Sequence, residues 1–181
     1  MKPILSNFAF VLAVVALTSC GSTQVRGGSV AGQAVPTSGR ICYMPVPDGR
    51  ERSGPEVAGS GATMTAAIRD ELVARGFDAA PLQSDRLAAA GNEAHSLSCT
   101  MVLRASITEW EDNATEWSGK GDSIGLSAEL FTVSDLRMVA TSNVRKKASA
   151  LAFVSRSPER FAQLIASDTV AKLFGLPMIE Q

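Results

Sequence analysis

Four carboxylates crowd one short stretch. Glu109, Glu111, Asp112 and Glu116 fall within eight residues, interleaved with both tryptophans of the chain, Trp110 and Trp117. Paired carboxylates can cleave glycosidic bonds, one as acid and one as nucleophile or base. They can also hold a hard cation such as calcium. The calcium option lacks the Asp-x-Asp-x-Asp-Gly spacing of a dedicated loop, and carboxylates in a polar connection are ordinarily solvated, so no metal is assigned. His95 is the sole histidine. Ser/His/Asp and Cys/His catalysis are therefore excluded unless His95 is the base, and a His-rich metal site is excluded outright. Its place before a strand suits a loop or capping residue. The Gly-rich loop 48–61 lacks the lysine of a P-loop and matches no nucleotide fingerprint, so no cofactor is expected. Exposed tryptophan anchors partners, whereas buried tryptophan is a packing ring. Trp110, Glu111, Asp112, Glu116 and Trp117 are thus a candidate interaction loop. The chain reads as non-enzymatic, with a peptidoglycan- or glycan-acting envelope hydrolase built on the acidic cluster as the alternative.

The three cysteines carry a second chemistry. Cys20 closes Leu17-Thr18-Ser19-Cys20, which follows Lys2 and the apolar run 8–17. That run has signal-peptide length and is short for a bilayer span. The ending resembles the bacterial lipobox, which implies a new N-terminus at Cys20 bearing a diacylglyceryl thioether and an acylated amine, palmitate being a usual acyl group. Several chains anchor stably, since each buried methylene contributes roughly 0.8 kcal/mol. An ordinary signal peptide with a chance cysteine is the other reading. Gly21 and Ser22 follow instead of Asp. By resemblance to lipoproteins of bacteria with two membranes, that implies the outer membrane, with the domain in the periplasm. Cys42 and Cys99 remain. In an oxidising compartment they can form a disulfide; alternatively they are two separate buried thiols.

The elements that must position these residues follow from pattern. Residues 1–19 read as a signal peptide and 20–39 as a flexible Gly/Ser/Thr/Gln tether carrying Cys20. Residues 40–181 read as a single α/β domain. Basic and acidic residues nearly balance, 17 against 18, which gives no footprint for nucleic acid. A first strand is expected over 40–47, ended by Pro45 and Pro47. A helix follows over 62–75, with Ser60 or Thr63 as its cap and Gly76 as its stop. A short strand over 77–82 precedes a short helix over 85–90, capped by Ser84 and ended by Gly91. Residues 97–110 alternate, with Leu97, Cys99, Met101, Leu103, Ala105 and Ile107 on one face. A second alternating strand begins near Ile124. A third covers 138–148, its Arg145 and Lys147 marking it as an edge. Ser157-Pro158-Glu159 opens a last helix, which Gly175 and Pro177 end. The expected fold is α/β (α+β): one mixed sheet, strand-helix-strand-helix, an antiparallel meander and a C-terminal helix, with helices mainly on one face.

The stretch Glu109-Trp110-Glu111-Asp112-Asn113-Ala114-Thr115-Glu116-Trp117-Ser118-Gly119-Lys120 resembles a family of small bacterial envelope lipoproteins known as a domain of unknown function. There Trp-Glu-Asp and Ala-Thr-Glu-Trp-Ser-Gly join two strands of the sheet. The resemblance extends to the lipobox, the first strand and helix, and the last helix. The chain departs from it at Ser98-Cys99-Thr100 and in its long Gly-rich tether. It implies no reaction, ligand or catalytic residue, and so supplies no site. The lipobox, the tether, the absent catalytic set and the tryptophan loop lead instead to a membrane held through N-terminal acyl chains and an envelope protein or peptidoglycan as the expected partner. The fold expected is also similar to the N-terminal domain of the Tol-system propeller protein, a likeness of fold alone.

Overall fold

The computed structural model describes residues 22–30, 35–36, 38–52, 54–112, 121–147 and 159–178. The signal segment, Cys20, Glu116, Trp117 and the Ser157-Pro158 helix start lie outside the described residues. Among the described residues nine elements run β1 (Ser22–Ser29), β2 (Arg40–Tyr43), α1 (Ser60–Ala74), β3 (Asp78–Pro81), α2 (Leu87–Ser96), β4 (Cys99–Glu111), β5 (Ser123–Thr132), β6 (Met138–Lys147) and α3 (Glu159–Phe174). The six strands form one sheet in the order β1-β6-β5-β4-β2-β3. β2 is parallel to both β3 and β4, and the β4-β5-β6-β1 half is antiparallel. This is the mixed α/β sheet that the pattern of alternating elements predicts.

The period-2 pattern of the long strands sets which face is dry. Met101, Leu103, Ala105, Ile124, Leu126, Ala128 and Leu130 join Met64, Ile68 and Leu72 of α1 and Ile165, Val170 and Leu173 of α3 in the main core. α3 packs on both α1 and the β1-β6-β5 part of the sheet, which explains its unbroken burial from Ile165 to Ala171. α2 packs instead on the opposite face. There Ala90 and Ala94 meet Cys42, Met44, Val102 and Phe131 in a smaller core.

Two bulges in β4 interrupt the alternation. Against β2, Arg40 pairs with Cys99 and Ile41 with Met101, so Thr100 is an extra residue. Against β5, Leu126 pairs with Ile107 and Gly125 with Glu109, so Thr108 is extra. Each bulge reverses which face the residues beyond it occupy. Cys99 therefore leaves the face of Met101 and joins that of Cys42. The two are bonded as a disulfide with Cα atoms 5.8 Å apart. Trp110, which strict alternation would place with Ser106, turns into the main core and is 1% exposed.

Several expectations are corrected. Ser22–Ser29, read as part of the tether, is an edge strand paired with β6 over all eight residues. The glycines that suggested flexibility serve close approach: a Cβ on Gly27 (φ +122°) would lie 2.2 Å from the Thr141 carbonyl oxygen. Thr23 and Val25 are β-branched, and Val25 packs on the core. β6 is consequently an interior strand and its charges have other work. α2 runs to Ser96, past Gly91, and His95 sits in its last turn. Gly91 is no stop, because Leu136 crowds it: an added Cβ would meet the Leu136 side chain at 2.8 Å. Ser84 does not cap α2; its amide donates to the Glu93 carboxylate. α1 has no side-chain cap of its own. The Asp48 carboxylate, from the preceding loop, accepts from the amides of Gly59 and Gly61. An anion at a helix N-terminus is favourable there.

Candidate functional site

The acidic stretch resolves into residues with separate tasks. Trp110 and Glu109 stand on opposite sides of the sheet, as neighbours in a strand do, and the bulge at Thr108 decides that Trp110 takes the core side and Glu109 the open one. Trp110 is a core ring, and loop residue Gly49 lies against it: a Cβ on Gly49 would be 3.3 Å from the Trp110 Cβ. A buried ring offers no contact face, so Trp110 leaves the candidate interaction loop. Glu109 occupies the open face. The register runs Glu109, Gly125, Arg145 across β4, β5 and β6. With no side chain at Gly125, Arg145 reaches across it and forms a two-point ion pair with Glu109, its Nη2 donating to Oε1 at 2.7 Å. The Ser123 hydroxyl donates to the same oxygen at 2.6 Å. The Arg145 guanidinium holds the Glu109 carboxyl below the usual carboxylate range, against the opposing effect of burial.

Glu111 accepts a hydrogen bond from the backbone amide of Arg52 at 2.9 Å, which ties the 48–59 loop to the end of β4. Asp112 behaves oppositely to Glu109. Burial, helped by the nearby charges of Asp122 and Glu159, pushes its carboxyl up from 3.8. Glu109 and Glu111 are thus engaged with donors already. Among the described residues no three or more His, Cys, Asp or Glu side chains are grouped to hold a metal ion. His95 lies on α2, away from this cluster in the fold.

What the fold brings together instead is a broad polar surface on the open face. Three rows cross β4, β5, β6 and β1: Glu109, Gly125, Arg145, Gln24; then Ser106, Ser127, Asn143, Arg26; then Arg104, Glu129, Thr141, Gly28. Arg104 donates to Glu129 at 2.8 Å through Nε, and its guanidinium lies 5.1 Å from the centre of the Phe131 ring. Two shallow depressions mark this face. One, about 320 Å³, is bordered by Met44, Pro47, Asp85, Arg104 and Glu129. The other, about 210 Å³, is bordered by Gln24, Arg26, Thr108, Asn143 and Arg145. Sequence reading missed Gln24 and Arg26 because it took them for tether. The signal for the rest was present in the polar parity of Arg104, Ser106, Ser127 and Glu129. Chemically, such a face can donate and accept many hydrogen bonds over a flat area, but it encloses no substrate.

No family model matches the chain, and no curated protein matches it. Among solved structures it is similar to the PelC dodecamer from Paraburkholderia phytofirmans, at 18% identity over 84% of this chain and 98% of that one, with a TM-score of 0.63. Lipoprotein GNA1162 from Neisseria meningitidis aligns at 15% identity over 61% of this chain and 84% of that one, with a TM-score of 0.46. Protein XCC0632 from Xanthomonas campestris aligns at 14% identity over 84% and 93%, with a TM-score of 0.49. At these identities the likeness is one of fold, carried by the first of the three.

Proposed function

We propose that the chain is a lipid-anchored protein of the bacterial outer membrane, facing the periplasm, that works by contact as a non-enzymatic subunit or accessory of an envelope assembly. The observation that carries this reading is the disposition of the carboxylates. Glu109 is committed to Arg145 and Ser123 on a flat face, and Glu111 to a loop amide, whereas a glycosidase holds two carboxyls astride a cleft at a fixed separation. The lipobox ending at Cys20 supports the address. The fold likeness to PelC, solved as a dodecamer, supports assembly through contact surfaces of this architecture.

The test pairs address with activity in the full chain. Expressed in a Gram-negative host fed an alkyne analogue of palmitate, the protein is expected to take up label and fractionate with outer membranes. Cys20→Ser is expected to lose both properties. The purified protein is expected to release no soluble fragments from peptidoglycan sacculi. Unlabelled native protein would overturn the address. Release of fragments that Glu109→Gln or Glu111→Gln abolishes would overturn the contact reading in favour of hydrolysis.

A further inference from the structure

We infer that β1 is a rigid mount that holds one end of the sheet, formed by Ser22, Lys147, Ser123 and Glu111, against the phospholipid headgroup surface. The inference rests on the lipid anchor at Cys20 proposed above and specifies how the domain meets the membrane. β1 begins at Ser22, two residues after Cys20. Two residues span at most about 7 Å. From Ser22 the register with β6 is continuous to Ser29 opposite Ala140, and the Val30 amide still donates to the Val139 carbonyl at 2.7 Å. Val25 seats the strand on the core, and α3 packs beside it. A flexible tether over 20–39 would let the domain wander roughly 25 Å from its anchor. A paired strand removes that freedom.

The register also says which part of the domain is brought to the lipid. Ser22 stands opposite Lys147, Lys147 opposite Ser123, and Ser123 opposite Glu111. Four strands at about 4.8 Å spacing make a ledge roughly 14 Å wide. At this end Ser22 and Lys147 are exposed, Glu111 is half-buried and Ser123 is buried, so Lys147 is the point charge that meets a lipid phosphate. Among the described residues this end of the sheet is polar, which suits the headgroup layer. Asp135, in the turn between β5 and β6, lies at the opposite end of the sheet, about 30 Å away along a ten-residue strand. The strands therefore rise from the membrane. Both sheet faces then look sideways along it, and the polar face is presented to neighbours anchored in the same leaflet.

The mature lipidated chain offers a direct test. With Cys20 acylated and Cys42 bonded to Cys99, one introduced cysteine is the only free thiol. Lys147→Cys and Asp135→Cys, each carrying a bimane, are reconstituted into phosphatidylethanolamine–phosphatidylglycerol vesicles with a headgroup nitroxide quencher. The bimane at position 147 is expected to be quenched severalfold more than that at position 135. A Gly-Ser insert of about 20 residues between Gly21 and Ser22 is expected to abolish this difference while the protein still floats with the vesicles. Equal quenching in the floating native chain, or a difference that survives the insert, would overturn the mount and leave the anchor standing. A chain that neither floats nor carries acyl label would overturn the anchor, and the mount with it.

Discussion

The covered and open faces of the sheet are built on opposite principles. On the covered face, Leu103, Ile124, Leu126 and Leu130 pack against α1 and α3 with no exposure to speak of. Its ion pairs lie at seams between elements. Lys146 reaches Asp168 of α3 at 3.0 Å with both side chains largely buried, and Glu71, Arg75 and Ser167 meet between α1 and α3. On the open face the strands themselves satisfy one another through Glu109–Arg145 and Arg104–Glu129. Charges there need no helix, and among the described residues none covers them on the β6 and β1 side. The difference separates two tasks: the covered face makes the fold, and the open face is the one that the proposed contact role would use. Glu109 and Trp110, adjacent in sequence, fall on either side of that line, and one bulged threonine decides which of them is inside.

Mutations that exploit this contrast should differ in size. Trp110→Ala empties a core position and should destabilise by about 3–5 kcal/mol, read as a lower midpoint in urea unfolding. A loss under 1 kcal/mol by that measurement would show that Trp110 is not part of the core. Reducing Cys42–Cys99, or Cys99→Ala, should remove about 2–4 kcal/mol, because the bond joins β2 to β4 across 57 residues of chain. Unfolding with and without dithiothreitol checks it, and identical midpoints would count against a staple.

The open face should respond far less. Arg145 is well exposed, so solvent screens its pair with Glu109, and Glu109→Gln should cost no more than about 1 kcal/mol at neutral pH. Its signature is in the pH dependence. The carboxyl titrates below 4.5 in the folded chain, so the unfolded chain takes up the proton first as pH falls. The stabilisation is complete above 4.5 and is lost as pH drops through the folded value. Glu109→Gln should flatten that acid limb. Asp112 has the reverse sign. Its raised folded value means that ionisation above 3.8 works against the fold. Asp112→Asn should therefore leave neutral-pH stability equal or slightly higher, the smallest effect of the set. Urea midpoints of the two variants between acid and neutral pH distinguish them, and parallel curves would refute the opposition.

Much of this fold is legible from pattern. Alternation over 101–107 and 124–130 assigns the core residues of two central strands. Gly76 and Gly175 take positive φ at the helix ends, where a missing Cβ is an advantage. The failures share a cause. A bulge adds one residue without any compositional mark, and threonine suits a regular strand as well as a bulge, so Thr100 and Thr108 gave no warning. Glycine is ambiguous for a related reason: it permits mobility, but it also permits contact. At Gly27 the deciding atom is the Thr141 carbonyl oxygen, at Gly91 the Leu136 side chain, and at Gly125 the Thr108 hydroxyl on the neighbouring strand. Each lies far away in sequence. The candidate site was half legible. The acidic cluster was found, but its role depended on partners such as Arg145 and Arg52 that only the folded sheet brings near.

The pairing of β1 has a practical consequence for solubility. A chain shortened to start at Arg40, where composition first looks domain-like, would lack the strand that covers β6. Ten residues of β6 would then present unpaired amides and carbonyls to any other strand in solution. Long bare edges of this kind recruit copies of themselves. The eight residues from Ser22 to Ser29 thus act as a guard against self-templated aggregation, and any soluble form of the domain has to keep them.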